Sequence, residues 1–464
     1  MPEVILPGTY ISVRDEGLIT AGRIATGIVG IVGTAARGAA NEVAQIASYT
    51  QARDVFGDPD PWRGGKADEL TLMRALELLF NNGASSVYAV RAATSGASAA
   101  SLVLKNKDTP VMTITASTPG AWGNSVKVRV SAADEKGTTR RIDVTHGAIR
   151  ESFTGANAAE LGAAMKRDSR LVTASVPEGV TALPDADEAP VPLSGGENGA
   201  ATAEGYKTAL AALENEVVNL VVLAGMDAAT GGSILQGHLA TTAAMRRERI
   251  GVIGSKGEGG IDAIAKHDLA SDRMIYVGPG ILVNEMDAET RVQREVSLPG
   301  AYTAAAVAGV ISSLPVQTSL TNKPVNVHGL TEVFNQPQLE RLVQNRVLAV
   351  ERREGFRIVQ GITTSPNPAW KQITTRRIVD YAMYGVRSAC NPYIGKLNNA
   401  RVRAAMKATL DGFLTRMVHD EALVSYQLDV SATRTQEISG ECIVTMTVQP
   451  TFSIDYVMVT LYLS

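Results

Sequence analysis

The sequence predicts a multidomain protein of mixed α/β and α+β class. The chain has 464 residues, more than one hydrophobic core usually holds. Short runs of β-branched residues alternate with amphipathic helical patterns in two separate stretches, which is typical of a mostly parallel sheet covered by helices on both faces. A β-rich stretch lies between the two, and helices followed by alternating strand patterns close the chain.

The first α/β stretch covers residues 27–93. Residues 27–32 form a strand-like apolar run, and the apolar positions of residues 67–81 repeat with helical spacing. Asn82 and Gly83 end that pattern, and residues 86–91 predict a second buried strand. The order predicts a β-α-β unit.

Residues 94–200 interrupt this alternation. Residues 92–101 consist almost entirely of Ala, Ser, Thr and Gly, and residues 177–203 are rich in Pro, Gly, Asp, Glu and Ala, as linkers are. Strand patterns dominate between them, for example at 125–130 and 141–144. We therefore predict a β-rich inserted domain between two flexible joints.

The α/β alternation resumes in residues 201–334. Helical patterns lead three times to apolar runs, with helices at 206–216, 234–247 and 264–269 and strands at 217–223, 250–253 and 274–277. Residues 27–93 and 201–334 together predict one mostly parallel α/β middle domain.

Residues 335–454 predict a C-terminal α+β domain. Asn335 and Pro337 are typical of a helix start, and this helix is predicted to continue to residue 350. The patterns that follow predict a strand at 356–362, helices near 376–389 and 399–419, and strands at 426–434, 440–449 and 452–463.

Both ends of the sequence carry strand patterns. The alternating positions are Tyr10, Ile11, Ser12 and Val13 in the first segment and Val457, Val459, Leu461 and Leu463 in the last. Strands at the ends leave backbone N–H and C=O groups unpaired unless they join a sheet. The pattern leaves two alternatives open, in which the ends complete the protein's own sheet or add strands to neighbouring copies.

Composition argues against several classes of protein. The net charge is −3, so no global basic field attracts nucleic acid. The first ten residues do not resemble a signal peptide, and no apolar window reaches the length of a membrane span. Cys390, Cys442 and the scattered histidines lack the spacing of metal or redox sites. We expect no direct nucleic-acid binding, no stable membrane insertion, no metal and no cofactor.

A nucleotide-binding enzyme is the alternative that a parallel sheet suggests. Two glycine-containing segments follow predicted strands, GTAARG at 33–38 and GSKGEGG at 254–260. The first contains neither GK[ST] nor G-x-G-x-x-G, and residues 253–257 contain only part of the G-x-S-x-G turn of hydrolases. A flexible surface turn also accounts for the loop around Lys256. We predict that the protein is not an enzyme.

Several segments resemble the contractile phage tail sheath family over nearly the whole chain. PGTYISV (7–13) and GIVGIVGTAARGAANE (27–42) are similar to its N-terminal arm and first strand. LELLFNNGASSVYAVRA (76–92), STPGAWGNSVKVRV (117–130) and WKQITTRRIVDYAMYGV (370–386) resemble later blocks of the family, in the family's order. Residues 312–330 follow its proline-rich segment only loosely, and residues 361–363 differ from its usual GART.

The resemblance implies a structural subunit and not an enzyme. Such subunits polymerise as stacked hexameric rings in a helical array around the tail tube, and contract to drive the tube through the target cell envelope. The implied partners are further copies of the chain, the tail tube protein, and the baseplate and tail terminator proteins. The implied location is the virion tail sheath, after assembly in the host cytoplasm. A phage tail and a tailocin remain open alternatives, whereas a capsid, baseplate or tube protein does not explain the order of the segments.

The resemblance also assigns a role to each predicted domain. Residues 1–26 and 455–464 become arms that exchange strands with neighbours, through the eight alternating positions named above. Residues 94–200 become an outer domain, and residues 335–454 a polymerisation domain that faces the tube and is completed by the arms.

One helix of that C-terminal domain is a candidate for the tube contact. The apolar stripe of the helix at 399–419 is expected to face its own domain; it consists of Val402, Met406, Leu410, Phe413 and Met417. Arg401, Arg403 and Lys407 are then expected to point away from it. Cations at a helix N-terminus oppose the helix dipole, so they are candidate contacts to an acidic tube surface. A plain solvated face is the alternative.

Overall fold

The computed structural model describes residues 25–135, 137–187, 189–257, 259–286 and 292–462. The first elements are β1 (Val29–Gly33), β2 (Val43–Ile46), α1 (Tyr49–Phe56), α2 (Leu72–Asn81) and β3 (Val87–Arg91). β1 and β3 pair in parallel, so the predicted β-α-β unit is confirmed. α2 starts later than predicted because the Glu69 carboxylate accepts the backbone N–H groups of Arg63, Gly65 and Lys66 and holds these residues in a turn.

A separate module follows. Its elements are β4 (Thr94–Ser95), β5 (Ser101–Asn106), β6 (Thr109–Ala116), β7 (Lys127–Ala132), β8 (Arg140–His146), β9 (Ile149–Gly155), α3 (Ala158–Asp168), β10 (Val172–Ser175), β11 (Val191–Pro192) and β12 (Ala200–Ala201). The strands form small antiparallel sheets in the orders β10-β6-β5, β11-β7-β8-β9 and β12-β4. The module has an apolar core of its own, which includes Ile114, Val128, Ile142 and Leu161.

The joints of this module are paired, where the sequence predicted two flexible joints. Thr94 of β4 lies opposite Ala201 of β12, which brings the entry and exit of the module side by side. Within residues 177–203, β11 pairs with β7, and the N–H of Asp185 donates to the carbonyl of Lys105 (2.8 Å). Linker-like composition does not indicate an unpaired segment here, because other residues of the module pair with the backbone N–H and C=O groups of the joints.

The chain then returns to the α/β arrangement. Its elements are α4 (Ala203–Ala212), β13 (Leu220–Asp227), α5 (Ala228–Ala244), β14 (Ile250–Gly254), α6 (Gly260–Ala265), β15 (Met274–Gly278), β16 (Ile281–Met286), β17 (Gln293–Leu298), α7 (Gly300–Ser313), β18 (Gly329–Leu330), α8 (Gln336–Gln344), β19 (Leu348–Arg352) and β20 (Phe356–Ile358). β17, β16 and β18 form a small antiparallel sheet that the sequence patterns did not predict.

The central sheet has the strand order β2-β3-β1-β13-β14-β15-β19-β20 among the described residues. Neighbouring strands from β3 to β19 are parallel, and β2 and β20 are antiparallel at the two edges. The mostly parallel α/β prediction is therefore confirmed. Side chains of one strand alternate between two apolar cores, with Val222 packed beside α2 and α7 and Val221 packed beside α4 and α5.

This sheet continues past the domain boundary predicted at residue 335. The predicted helix to residue 350 ends at Gln344, because Arg346 adopts a left-handed conformation (φ 64°) that turns the chain into β19. β19 and β20 then extend the central sheet to Ile358. A boundary at residue 335 would cut the sheet, so the structure corrects that boundary.

The remaining elements are α9 (Ile373–Cys390), α10 (Ala400–His419), β21 (Leu423–Ser431), α11 (Arg434–Ser439) and β22 (Ile443–Pro450). The start of α9 is fixed to the α/β part, where the buried Arg377 donates to the carbonyls of Leu314 (2.8 Å) and Pro315 (3.1 Å). Burial lowers the pKa of Arg377 to about 10. Further along, α9 packs on α10 at Gly385, where an added Cβ would lie 1.9 Å from Cζ of Phe413.

Candidate assembly surfaces

β21 and β22 form an antiparallel hairpin in which Tyr426 lies opposite Val448 and Leu428 lies opposite Met446. These four side chains pack against the core that α9 and α10 form, and the intervening residues face outward. Among the described residues, no other strand pairs with either edge of the hairpin. Open edges present rows of N–H and C=O groups to which a strand of another molecule can bind.

Residues 451–462 continue from the hairpin as an extended segment. Val457, Val459 and Leu461, all predicted interface positions, are 79%, 82% and 79% exposed. The sequence predicts a strand here, and within the described chain the segment pairs with no strand of its own molecule. An exposed apolar segment of this kind therefore lies close to a hairpin with open edges. The other predicted interface positions, Tyr10, Ile11, Ser12, Val13 and Leu463, lie outside the described residues.

α10 positions the predicted apolar stripe as expected. The side chain of Asn399 caps the helix by accepting the N–H of Val402 (2.9 Å). Met406, Leu410, Phe413 and Met417 are buried, and Val402 is half-buried against the cluster that contains Met406 and Leu410.

The three candidate cations of α10 lie in different surroundings. Arg403 does not point away from its own domain, because it binds Glu437 of α11 (2.9 Å) and the side chain of Asn398 (2.8 Å). Hydrogen bonds from Arg434 and Arg403 hold the pKa of Glu437 below its usual value. Arg401 and Lys407 are exposed, and the nearest oxygen of Asp429 is 4.0 Å from Nζ of Lys407. Sequence spacing could not reveal the contact of Arg403, since its partner comes from another element.

The glycine-containing loop after β14 serves packing. An added Cβ at Gly254 would lie 1.9 Å from the carbonyl oxygen of Gly300, so this glycine lets α7 approach the end of β14. Beyond it, a crevice of about 620 Å³ is lined by Lys256, Asp227 and Tyr302, among others. The Asp227 carboxylate caps α5 by accepting the N–H of Thr230 (2.9 Å). It places a negative charge where a phosphate would bind, which disfavours a nucleotide in this crevice.

Titratable groups elsewhere have structural partners. Burial and the neighbouring Arg249 lower the pKa of His238 to about 4, so at neutral pH this histidine is uncharged; its Nε2 lies 2.9 Å from Nη1 of Arg249. Cys390 and Cys442 pack on one apolar cluster although they are far apart in sequence.

The described part of the chain contains no group of three or more His, Cys, Asp or Glu side chains placed to hold a metal ion. It also contains no helix that is both long and apolar enough to cross a membrane.

Comparison with protein families identifies the chain. The model for the phage tail sheath protein central domain matches residues 199–364, and the model for the phage tail sheath C-terminal domain matches residues 365–464. The two matches are consecutive and together cover more than half of the chain. The chain belongs to the phage tail sheath protein family.

The two family domains follow the architecture of this sheath chain. The first match contains β13 to β20, the larger part of the central sheet, and the second begins just before α9 and contains the hairpin and the extended segment.

Known sheath proteins resemble the chain in sequence and in fold. The tail sheath protein of Bacillus phage SP01 is 25% identical over 243 residues, which are 50% of this chain and 42% of that protein. This sheath chain therefore matches less than half the length of that relative. The crystal structure of a sheath tail protein from Desulfitobacterium hafniense has a TM-score of 0.66 at 16% identity, and the similarity covers 96% of this chain and 100% of that one.

A polymeric sheath has a similar fold as well. The helical sheath of the anti-feeding prophage in its contracted state has a TM-score of 0.58 at 14% identity, covering 99% of both chains. At such low identity the similarity concerns the fold.

Proposed function

We propose that the chain is the structural subunit of a contractile tail sheath. Copies polymerise as stacked hexameric rings around a tail tube, and contraction of the array drives the tube through the envelope of a target cell. The driving free energy comes from new apolar contacts between subunits, at about 25 cal/mol per Å² buried. No nucleotide and no catalytic step take part.

The extended segment beside the open hairpin is the observation that carries this proposal. Exposed apolar residues at 452–462 are unfavourable in an isolated molecule, and the hairpin edges have unpaired backbone groups. A segment of one copy added to the hairpin of another satisfies both. Such main-chain hydrogen bonds persist while whole subunits rotate and their side-chain contacts change. The N-terminal segment, with Tyr10 to Val13, is proposed to pair in the same way.

The partners and the location follow from this role. The proposed partners are further copies of the chain, the tail tube protein, and the baseplate and tail terminator proteins. The subunit assembles in the host cytoplasm and resides in the virion tail. The module at 94–201, with its own core and paired joints, is proposed to lie on the outer side of the sheath.

The inner side is proposed to include the first half of α10. Arg401 and Lys407 are exposed there and suit an acidic tube surface. Arg403 belongs to the same proposed contact surface, although its ion pair with Glu437 holds it against its own domain. Exposed charge contacts are weak and screened by salt, which suits a sheath that must slide along its tube.

Electron microscopy of the purified protein tests the polymerisation. The intact chain is expected to form long hollow cylinders with six-fold cross-sections. Deletion of residues 456–464, or of residues 1–14, is expected to give folded subunits that do not polymerise, because the deleted strands bind other copies. Circular dichroism and analytical ultracentrifugation separate loss of assembly from loss of folding.

A matched variant controls for a general loss of apolar surface. Val103→Ser with Ile149→Ser removes exposed apolar groups from the outer module, where the side chains are 45% and 42% exposed, and is expected to leave the cylinders intact. Cylinders of normal length from either deletion would contradict the strand-exchange proposal.

A further inference from the structure

The extended C-terminal segment leaves the surface of the subunit at a defined residue. Thr451, Ser453 and Asp455 turn toward the protein, while Phe452 and Ile454 between them face solvent, and every residue described beyond Asp455 is exposed. This alternation is that of a strand lying along the surface. Asp455 is therefore the last described residue of the segment that is not exposed; Tyr456 is 73% exposed, and its hydroxyl accepts from Nε2 of Gln360 (3.4 Å).

The Asp455 carboxylate binds donors from three separate parts of the chain. One oxygen accepts from Oγ1 of Thr321 (3.2 Å) and from Oγ of Ser453 (3.0 Å). The other accepts from Nε2 of Gln360 (3.0 Å) and Nε2 of Gln372 (3.1 Å). Thr321 follows α7, Gln360 follows β20, and Gln372 precedes α9.

Two of these donors are themselves oriented by a second hydrogen bond. Oγ1 of Thr321 accepts the N–H of Gly361 (3.2 Å), which leaves its own proton to donate to Asp455. Oε1 of Gln372 accepts from the hydroxyl of Thr374 (3.4 Å), which turns its NH₂ group toward Asp455. Gln360 is only 6% exposed, so its amide has little freedom to turn elsewhere. All four donors are uncharged, and hydrogen bonds to a carboxylate are stronger than those between neutral groups.

We propose that Asp455 is a positioning residue, which fixes where and in which direction the C-terminal segment leaves the subunit. This inference rests on the proposed exchange of strands between copies. At about 3.3 Å per residue, residues 456–462 reach about 23 Å from Asp455. The direction of departure thus decides whether the segment reaches a neighbouring hairpin. Fixing that direction in the free subunit lowers the entropic cost of strand pairing and raises the effective concentration of the segment at its partner.

The isosteric variant Asp455→Asn tests the proposal. An amide group at this position brings its own N–H donors against the amides of Gln360 and Gln372, so the cluster cannot form as it does with a carboxylate. The critical concentration for cylinder formation, measured by sedimentation, is expected to rise about tenfold, because the C-terminal segment is no longer preorganised for strand pairing. Cylinders that do form are expected to show a broader spread of helical twist in electron micrographs. The thermal midpoint of dilute, unassembled protein is measured alongside, because loss of these hydrogen bonds lowers the stability of the subunit itself, whereas the spread of helical twist reports the direction of the segment.

Three further variants keep the result decisive. Asp455→Glu retains the carboxylate and is expected to restore part of the assembly, whereas Asp108→Asn, at an exposed aspartate of the outer module, is expected to assemble normally. Gln372→Met removes one donor from a half-buried site and serves as the test if Asp455→Asn does not fold. If Asp455→Asn folds and shows a normal critical concentration and twist, the positioning role is overturned. If Asp455→Asn does not fold, the same result in Gln372→Met overturns it. In both cases a 456–464 deletion that does not assemble still supports strand exchange. Normal assembly of the deletion overturns both proposals.

Discussion

Asp60 shows how burial of one carboxyl group makes stability depend on pH. Burial raises its pKa to about 6, although the N–H of Leu70 donates to it and Arg63 lies close by. The side chain is 18% exposed, and one of its oxygens has no hydrogen-bond partner. The folded state therefore binds this proton more tightly than the unfolded state does. Its ionisation reduces stability progressively as the pH rises from about 4 to about 6, and the full cost applies above that range.

Asp60→Asn is therefore expected to stabilise the protein at neutral pH. The gain in free energy of unfolding is expected to approach about 3 kcal/mol at pH 7, at about 1.4 kcal/mol for each unit of pKa shift, and to shrink toward zero near pH 4. Urea denaturation of the non-assembling 456–464 deletion at several pH values measures this gain. Asp108→Asn, at an exposed site, provides the comparison. A gain that does not depend on pH would show that the charge of Asp60 is not its cause.

Among the elements, α9 joins the C-terminal domain to the central sheet through a cluster of charges. Asp380 of this helix accepts hydrogen bonds from Arg273 (2.8 and 2.9 Å) and from Arg376 (2.8 Å), and Arg376 also pairs with Asp272 (2.9 Å). Arg376 lies over the ring of Trp370, 4.4 Å from its centre. These groups are largely buried, so each cation depends on the carboxylates beside it.

Asp380→Ala is expected to lower the free energy of unfolding by about 3 kcal/mol, because it leaves two largely buried guanidinium groups short of a partner. Asp168→Ala is the control, since Asp168 forms a surface ion pair with Arg167, which is 74% exposed. Its expected effect is much smaller, because an exposed ion pair contributes little to stability. Urea titration of the assembly-deficient deletion carrying either change compares the two effects. Equal effects of the two substitutions would mean that the α9 cluster contributes no more than an exposed pair.

Elements with a long regular pattern could be predicted from the sequence, and elements fixed by single contacts could not. The helix predicted at 399–419 is found at Ala400–His419, since its apolar stripe and its Asn399 cap are both local signals. The start of β19 depends on the left-handed turn at Arg346, and no periodic pattern indicates such a turn. Composition likewise could not reveal that β4 and β12 pair across the inserted module.

The same limit applies to the candidate interface residues. Val457, Val459 and Leu461 alternate in a local strand pattern, so the sequence alone predicted them as interface positions, and all three are exposed. The role of Asp455 and the ion pair between Arg403 and Glu437 depend on residues brought together only by the fold. Long-range polar contacts of this kind leave no periodic signal in one sequence.

At the scale of the whole molecule, reversing the positive charges on α10 tests whether this surface faces the tube or the solvent. Arg401 and Lys407 can be reversed without breaking the ion pair of Arg403 with Glu437, which belongs to the fold of the domain. Arg401→Glu with Lys407→Glu therefore reverses two exposed charges and leaves that ion pair in place. Lys166→Glu with Arg170→Glu makes the same change in net charge on the outer module, where both side chains are exposed, and serves as the matched control.

If α10 faces an acidic tube, the α10 double variant is expected to form empty cylinders as readily as the unchanged chain. Cylinder formation depends on contacts between subunits, whereas an extended sheath on a tube also depends on contacts to the tube. The yield of extended sheath on purified tubes, counted in electron micrographs, is expected to fall about tenfold at low salt, because each reversed charge turns attraction into repulsion. The difference is expected to shrink as ionic strength rises, since exposed charges are screened within about 10 Å at 0.1 M salt. The outer-module control is expected to match the unchanged chain at every salt concentration. Normal extended sheaths from the α10 variant would instead mean that this helix faces solvent or a neighbouring sheath subunit.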